Sequence, residues 1–326
     1  MKKLKIFFVS FLGLLLTGIL SVVIFVYLQD EALEPEAKEF IQITSEEMRA
    51  FNETRKFLLN PRIYEQENLT KSVPCLEKKP RPEDENKFLK NWEEFQKKTQ
   101  HFDEFIQPHL KNLTISIGGT DLVDTMDGVK ALLNFANHVF AQECYYQIKK
   151  MDKELKEHRK DTADLLLRSF QAPQVLISQL VVSGMMLSFF KINSGEELQN
   201  FRQQMFQIIN NNSAEDFFWK NIKYDMMALI NFINNNKNRK WDFSEWVEIK
   251  TVPQNRMINN FWRASAKREI PEISENLLED HSWWTLPKRT QLSYEAMTFS
   301  RWKDTLNRMK NIWLEMRETL SDKKAK

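Results

Sequence analysis

Two cysteines, five histidines and a pair of adjacent tryptophans are the residues of this 326-residue chain best suited to chemistry or recognition. Cys75 and Cys144 are its only thiols. Both fall in the part of the chain expected to be exported to an oxidising compartment, and they are expected to form a disulfide closing a loop of about 70 residues; the alternative is two separate buried thiols. The histidines are His101, His109, His138, His158 and His281. Metal ligands on a helix need to stand at i, i+3 or i+4. His138 and Glu143 are five apart, and Pro108 separates His101 from His109. His158, Asp161 and Asp164 share a helix face, but next to the charged run KKMDKELKEHRK that face is expected to be solvated. Asp121, Asp124 and Asp127 read as first-turn acids that complement a helix dipole. Glu143 beside Cys144 falls within a helix next to Tyr145 and Tyr146, which fits a structural cysteine better than a nucleophile and its base. Acyl-transfer, P-loop and dinucleotide fingerprints are absent. The expectation is therefore no catalytic residue, no cofactor and no metal.

Eight of the nine tryptophans follow residue 215. Trp283 and Trp284 are the best candidates for a recognition surface, because neighbouring helix positions cannot both face one core, and Glu279, Asp280 and His281 stand beside them. A formal charge of +2 gives no basic footprint for nucleic acid.

The elements that must position these residues are helical. Gly is scarce (7) and Pro modest (10), so the punctuation that sheets require is missing. The sequence predicts an all-α fold. One seam comprises Phe88, Trp92, Phe95, Thr99, Phe102 and Ile106. A long helical stretch from 121 to about 170 is predicted to break near Lys160. Ser194-Gly-Glu-Glu197 matches a capping box, and Ser213 is expected to cap the following helix. A final helix over 301–320 carries Trp302, Leu306, Met309, Trp313, Met316 and Leu320 in an a/d seam. That seam either packs on the protein's own core or is offered to a partner or a second copy.

Two long uncharged runs decide the topology. Residues 6–29, IFFVSFLGLLLTGILSVVIFVYLQ, are long enough to span a hydrocarbon core of roughly 30 Å. Lys2, Lys3 and Lys5 precede the run, and five acids with a single lysine follow it by Glu39. This predicts a signal anchor with the N-terminus in the cytoplasm and the remainder exported. The second run, SFQAPQVLISQLVVSGMMLSFF at 169–190, is richer in Ser and Gln and follows a strongly basic flank. Such a flank belongs in the cytoplasm, whereas the first anchor has already exported it, so this run is predicted to be a core helix surrounded by neighbours.

The anchor followed by QDEALEPEA, then GEELQNFRQQMFQII and IKYDMMALINFI, resembles an uncharacterised group of proteobacterial single-pass inner-membrane proteins. The resemblance implies a bacterial inner-membrane protein facing the periplasm, and implies no reaction. On this reading residues 1–5 are a cytoplasmic tail, 6–29 the transmembrane anchor, 30–82 a juxtamembrane helix and Pro-containing linker, and 83–326 a helical periplasmic domain. The expected role is a protein-binding scaffold or assembly factor of the envelope, with another envelope protein or self-association as its partner. The alternative is a periplasmic enzyme or glycan-binding protein acting through the Trp283-Trp284 region.

Overall fold

A computed structural model describes residues 13–21, 24, 30–49, 57–58, 60, 73–76, 82–99, 104, 108, 110–111, 122–172, 174–193, 195–236, 252–273 and 286–321. Every regular element among the described residues is helical, as the composition predicts. In chain order the α-helices are α1 (Pro35–Arg49), α2 (Pro82–Lys98), α3 (Leu122–Ile148), α4 (Asp152–Gln171), α5 (Leu176–Ile192), α6 (Gln199–Asn211), α7 (Ala214–Asn236), α8 (Gln254–Lys267) and α9 (Leu286–Ser321), with 3₁₀ turns at Pro74–Leu76 and Glu196–Leu198. They form two compact units, each discontinuous in sequence. The first comprises residues 1–43 and 229–304, the second 44–228 and 305–326. The segments 30–82 and 83–326 each contribute to both, and the boundaries fall inside α1, α7 and α9.

The second unit is built around α5. Val182, Met186 and Phe189 have no exposed surface, Leu176, Met185, Leu187 and Phe190 very little, and α3 and α4 pack against the helix. Burying each such side chain is worth about 1.5–3 kcal/mol. Ser169, Gln174, Ser178, Gln179 and Ser183 of the 169–190 run are buried with them, and several bond to one another, while Gln171 and Ser188 are exposed. Gln174 Nε2 donates to the Ser169 carbonyl at 2.9 Å and to Gln179 Oε1 at 2.7 Å, while Ser178 Oγ donates to Gln174 Oε1 at 2.7 Å. Val175 occupies the N-cap of α5 without a capping group, and Asp225 of α7 replaces one by accepting from the Leu176 N–H at 3.2 Å. A carboxylate there also complements the helix dipole. The run is a core helix, as expected, but neighbours do not surround it: Ile177 and Ser188 are exposed and Leu180, Val181 and Gly184 half-buried along one stripe.

The predicted break near Lys160 is corrected. The chain turns at residues 149–151, where Lys150 adopts φ 56° and the Met151 N–H bonds back to the Tyr146 carbonyl at 2.9 Å. Glycine usually holds this left-handed position, so a lysine there leaves no mark in the sequence. His158 is corrected too: it is wholly buried, with Nε2 donating to the Val139 carbonyl at 3.0 Å, not solvated. Its side chain faces α3, and the charges of the run belong to the other faces of α4. The expected capping box is only partly visible, since Ser194 lies outside the described residues. The 3₁₀ turn it was to open starts from Gly195 with no side-chain cap, and Glu197 instead lies 3.6 Å from Arg159 Nη1. Ser213 does cap α7, its Oγ accepting from the Asp216 N–H at 3.0 Å while Asp216 Oδ2 accepts from the Ser213 N–H at 3.1 Å.

The last helix begins at Leu286, fifteen residues before the expected start. Trp302, Leu306, Met309, Trp313 and Met316 are all buried, so the protein's own side chains cover the seam. In the second unit the Trp313 ring lies 5.2 Å from Phe170 and 5.0 Å from Phe217. Its Nε1 donates to the carbonyls of Ile209 and Asn212, and Arg317 also reaches Ile209, so the C-terminal end of α6 is satisfied by side chains of α9. In the first unit Trp302 packs on Phe261 and Phe299 at centroid distances of 5.6 and 5.3 Å. Of the binding-surface candidates, Trp302, Leu306, Met309 and Trp313 are thus core residues, while Trp283 and Trp284 lie outside the described residues. So do Phe102 and Ile106, although Phe88, Trp92, Phe95 and Thr99 of the same seam are buried.

Among the described residues no helix is long and apolar enough to cross a membrane. Most of the expected anchor at 6–29 lies outside them. Residues 13–21 are helical, with Leu14, Leu15, Leu16 and Leu20 exposed.

Cys75 and Cys144 form the expected disulfide, with Cα atoms 5.6 Å apart, tying the Pro74–Leu76 turn to α3. The loop spans 69 positions, for which chain entropy assigns about 4 kcal/mol. Cys75→Ser is expected to lower the stability measured by urea unfolding by roughly that amount, and reductant should impose the same loss on the unaltered protein. Identical midpoints for the oxidised, reduced and substituted proteins would show that the bond is energetically idle.

Candidate functional site

The first unit is organised by α8. Its N-cap residue, Pro253, carries no group able to satisfy the free N–H groups of the first turn. Asp30 does this from more than 220 residues away in sequence: Oδ2 accepts from the Asn255 N–H at 3.3 Å and Oδ1 from the Arg256 N–H at 3.0 Å. Asn259, one turn on and fully buried, fixes the following residues of the same strand of chain. Its Oδ1 accepts from the Glu34 N–H at 3.0 Å, and its Nδ2 donates to Glu31 Oε1 and the Ala32 carbonyl, both at 2.9 Å. Arg263 continues the row, its Nε donating to Glu34 Oε1 at 2.8 Å with Nη2 lying 3.2 Å from Glu31. Phe40 of α1 then packs on Trp262 at 5.4 Å. Asp30, the first charge after the uncharged run at 6–29, is already part of the folded unit.

The other side of α8 borders a cleft of about 390 Å³. At the end of α8, Arg268 takes φ 53° and the Glu269 N–H bonds to the Ala264 carbonyl at 3.0 Å, which turns residues 269–273 back along the cleft. Ala264, Pro271, Ile273 and Phe299 supply apolar wall, and Arg263, Lys267 and Glu269 supply charge. Glu295 of α9 lies within the lining, although only 3% of its surface is exposed. Asn260 Nδ2 and Gln291 Nε2 both donate to its Oε1, at 2.9 and 2.8 Å. Burial pushes the Glu295 carboxyl above the usual carboxylate range, and the two amide donors pull it part of the way back.

Two other buried polar groups lie in the second unit. Glu143 accepts from Arg159 Nε at 2.9 Å and Asn193 Nδ2 at 3.1 Å, so it joins α3, α4 and the end of α5 instead of activating Cys144, which is disulfide-bonded. Burial raises its carboxyl, with Arg159 acting in the opposite direction. His138 of α3 is buried against Phe95 of α2, its ring 5.0 Å away, and His158 where α4 meets α3, and desolvation lowers both to about 4. His158 Nδ1 has no partner among the described residues, so a proton there would place an uncompensated charge in the core. Among the described residues no three His, Cys, Asp or Glu side chains are grouped to hold a metal ion.

Asp30, Asn259, Asn260 and Glu295 are not singled out as site residues by the sequence pattern. Glu295 had a readable signal. The a/d seam of α9 continues backwards from Trp302 through Thr298, Glu295 and Gln291, which puts a carboxylate at a position facing inward. Asp30 had none, because its partner is a backbone terminus distant in sequence. Comparison of the chain with family models, curated proteins and solved structures finds no match in any of the three.

Two outcomes are expected. Removing the Asp30 cap with Asp30→Ala should cost about 1 kcal/mol, and Asn259→Ala about 1–3 kcal/mol. Hydrogen exchange should show faster exchange at Glu34, Asn255 and Arg256 in Asp30→Ala, and protection equal to the parent's would refute the cap. Separately, stability should fall as pH is lowered from about 6.5 to about 4. In that window the unfolded chain protonates His138 and His158 while the folded one does not, a limit of about 3 kcal/mol for each. Glu143 and Glu295, whose carboxyls are raised, favour the folded state on acidification and oppose this trend. The histidine contribution is therefore read as the difference between the parent and His158→Gln in urea midpoint against pH, and parallel curves would contradict it.

Proposed function

We propose that this protein is a membrane-anchored bacterial envelope protein whose helical body, on the periplasmic side of the inner membrane, serves as a protein-binding scaffold or assembly factor. The observation that carries the reading is the docking of Asp30, Glu31 and Glu34 onto α8. Residues 6–29 are uncharged and long enough to cross a bilayer. The very next residue caps a helix of the folded unit, so an anchor there would leave no free linker. An enzyme that searches for dispersed substrate gains from a long flexible tether, whereas a scaffold gains from holding its surface at a fixed height above the lipid. The exposed leucines of residues 13–21 support the anchor, since a stripe of that kind is costly in water. The Cys75–Cys144 bond supports an oxidising compartment, and the lysines at 2, 3 and 5 support a cytoplasmic N-terminus.

Photocrosslinking from native membranes, with the crosslinker on exposed positions of α9 such as Met297 and Leu314, tests this reading together with a reporter active only in the periplasm fused after Lys326. The expected result is an active reporter and one reproducible protein adduct, with the adduct weakened in the Asp30→Ala/Glu34→Ala double variant. An inactive reporter would overturn the topology. An active reporter without any protein adduct would overturn the scaffold.

A further inference from the structure

We propose that the cleft beside α8 is a binding site for a small zwitterion of amino-acid or dipeptide size, its ammonium group seated on the free oxygen of Glu295 and its carboxylate held at the rim by Lys267. The cleft floor is asymmetric in its hydrogen bonding. Both amide donors, from Asn260 and Gln291, go to Glu295 Oε1. Oε2 receives no donor among the described residues, although the side chain is 97% buried and forms part of the lining. A buried carboxylate oriented by two hydrogen bonds and short of donors on one oxygen is completed best by a cation bearing several N–H groups. Burial has raised the carboxyl, which is the state an incoming ammonium would relieve.

The anionic end follows from which cation is available. Arg263 is engaged with Glu34, Glu31 and Asn260. Lys267 is exposed and makes no ion pair among the described residues, so it can meet a ligand carboxylate. Glu269 lies in the same lining and disfavours a ligand that is purely anionic. Between the two charged ends the wall is Phe299 and Ile273, which suits a short apolar side chain. A volume of about 390 Å³ lies at the small end of ligand pockets, which run from ~300 to ~1,000 Å³. The proposal is independent of the anchoring and of the scaffold role, since it concerns only what the cleft takes up.

The test is calorimetric titration of the full chain in detergent micelles with L-alanyl-L-alanine, its N-acetylated form and its C-terminal amide. The free dipeptide is expected to bind, acetylation to weaken it by about tenfold or more, and amidation by at least about threefold. In Lys267→Ala, a change at an exposed position, the amide and the free acid should bind alike. In Glu295→Gln the acetylated and free amines should bind alike. If Glu295→Gln does not fold, the ligand series and Lys267→Ala decide the question between them. Absence of saturable binding up to about 10 mM would overturn the proposal. So would binding that acetylation leaves unchanged, or binding that neither amidation nor Lys267→Ala affects.

Discussion

Helix α5 buries all but one narrow stripe of its surface, the stripe of Ile177, Val181, Gly184 and Ser188, and most of the second unit follows from that constraint. A helix with so wide an apolar face needs neighbours over most of its circumference, and α3 and α4 supply them. It also carries polar side chains that would each cost free energy if left unpaired. Gln174, Ser178 and Gln179 resolve this by bonding among themselves and to the carbonyl groups that end α4, while Asn221 and Asp225 of α7 close the remaining groups. The network specifies how α4, α5 and α7 meet, because a shift of one turn would leave several buried donors without acceptors.

The other joints of the unit obey the same rule of satisfying helix ends with side chains from elsewhere. Arg202 donates to the carbonyls of Phe190 and Asn193 at the end of α5 and to Thr319 near the end of α9. Trp313 and Arg317 do the same for α6. Glu143 and Arg159 form a buried ion pair, which costs desolvation and returns little net stability unless its lone pairs are filled. Asn193 fills one of them. Such a pair has more to do with specifying the α3–α4 alignment than with stability. The disulfide then limits the unfolded chain at the same helix, one residue further on.

In the first unit a remote cap plays the organising role. Proline at the N-cap of α8 leaves backbone donors that a side chain must reach from outside, and Asp30 reaches them. The acids that follow the uncharged N-terminal run are therefore structural as well as topological signals. Helix α8 serves two neighbours at once: Asp30 to Glu34 on one side and the cleft with Glu295 on the other. Arg263 and Asn260 bond each other between them.

By itself the sequence determined the helical class, the core character of 169–190, the Ser213 cap, the Cys75–Cys144 pairing and the apolar seam of the last helix, but not that this seam faces the protein's own core. Each of these rests on composition, on periodicity or on there being only one possible partner. Tertiary structure decided the rest. The turns at Lys150 and Arg268 use left-handed residues other than glycine, so nothing local announces them. The charges around His158 read as a solvated face, because a helix pattern shows that residues share a face but not which face a neighbour will cover. Glu295 stands in the seam, yet its meaning depends on Asn260 and on a cleft wall contributed by residues 269–273. Asp30 caps a helix that begins more than 220 residues later. A hydrogen bond to a backbone terminus carries no side-chain signature at its far end, and only the folded chain brings the two together.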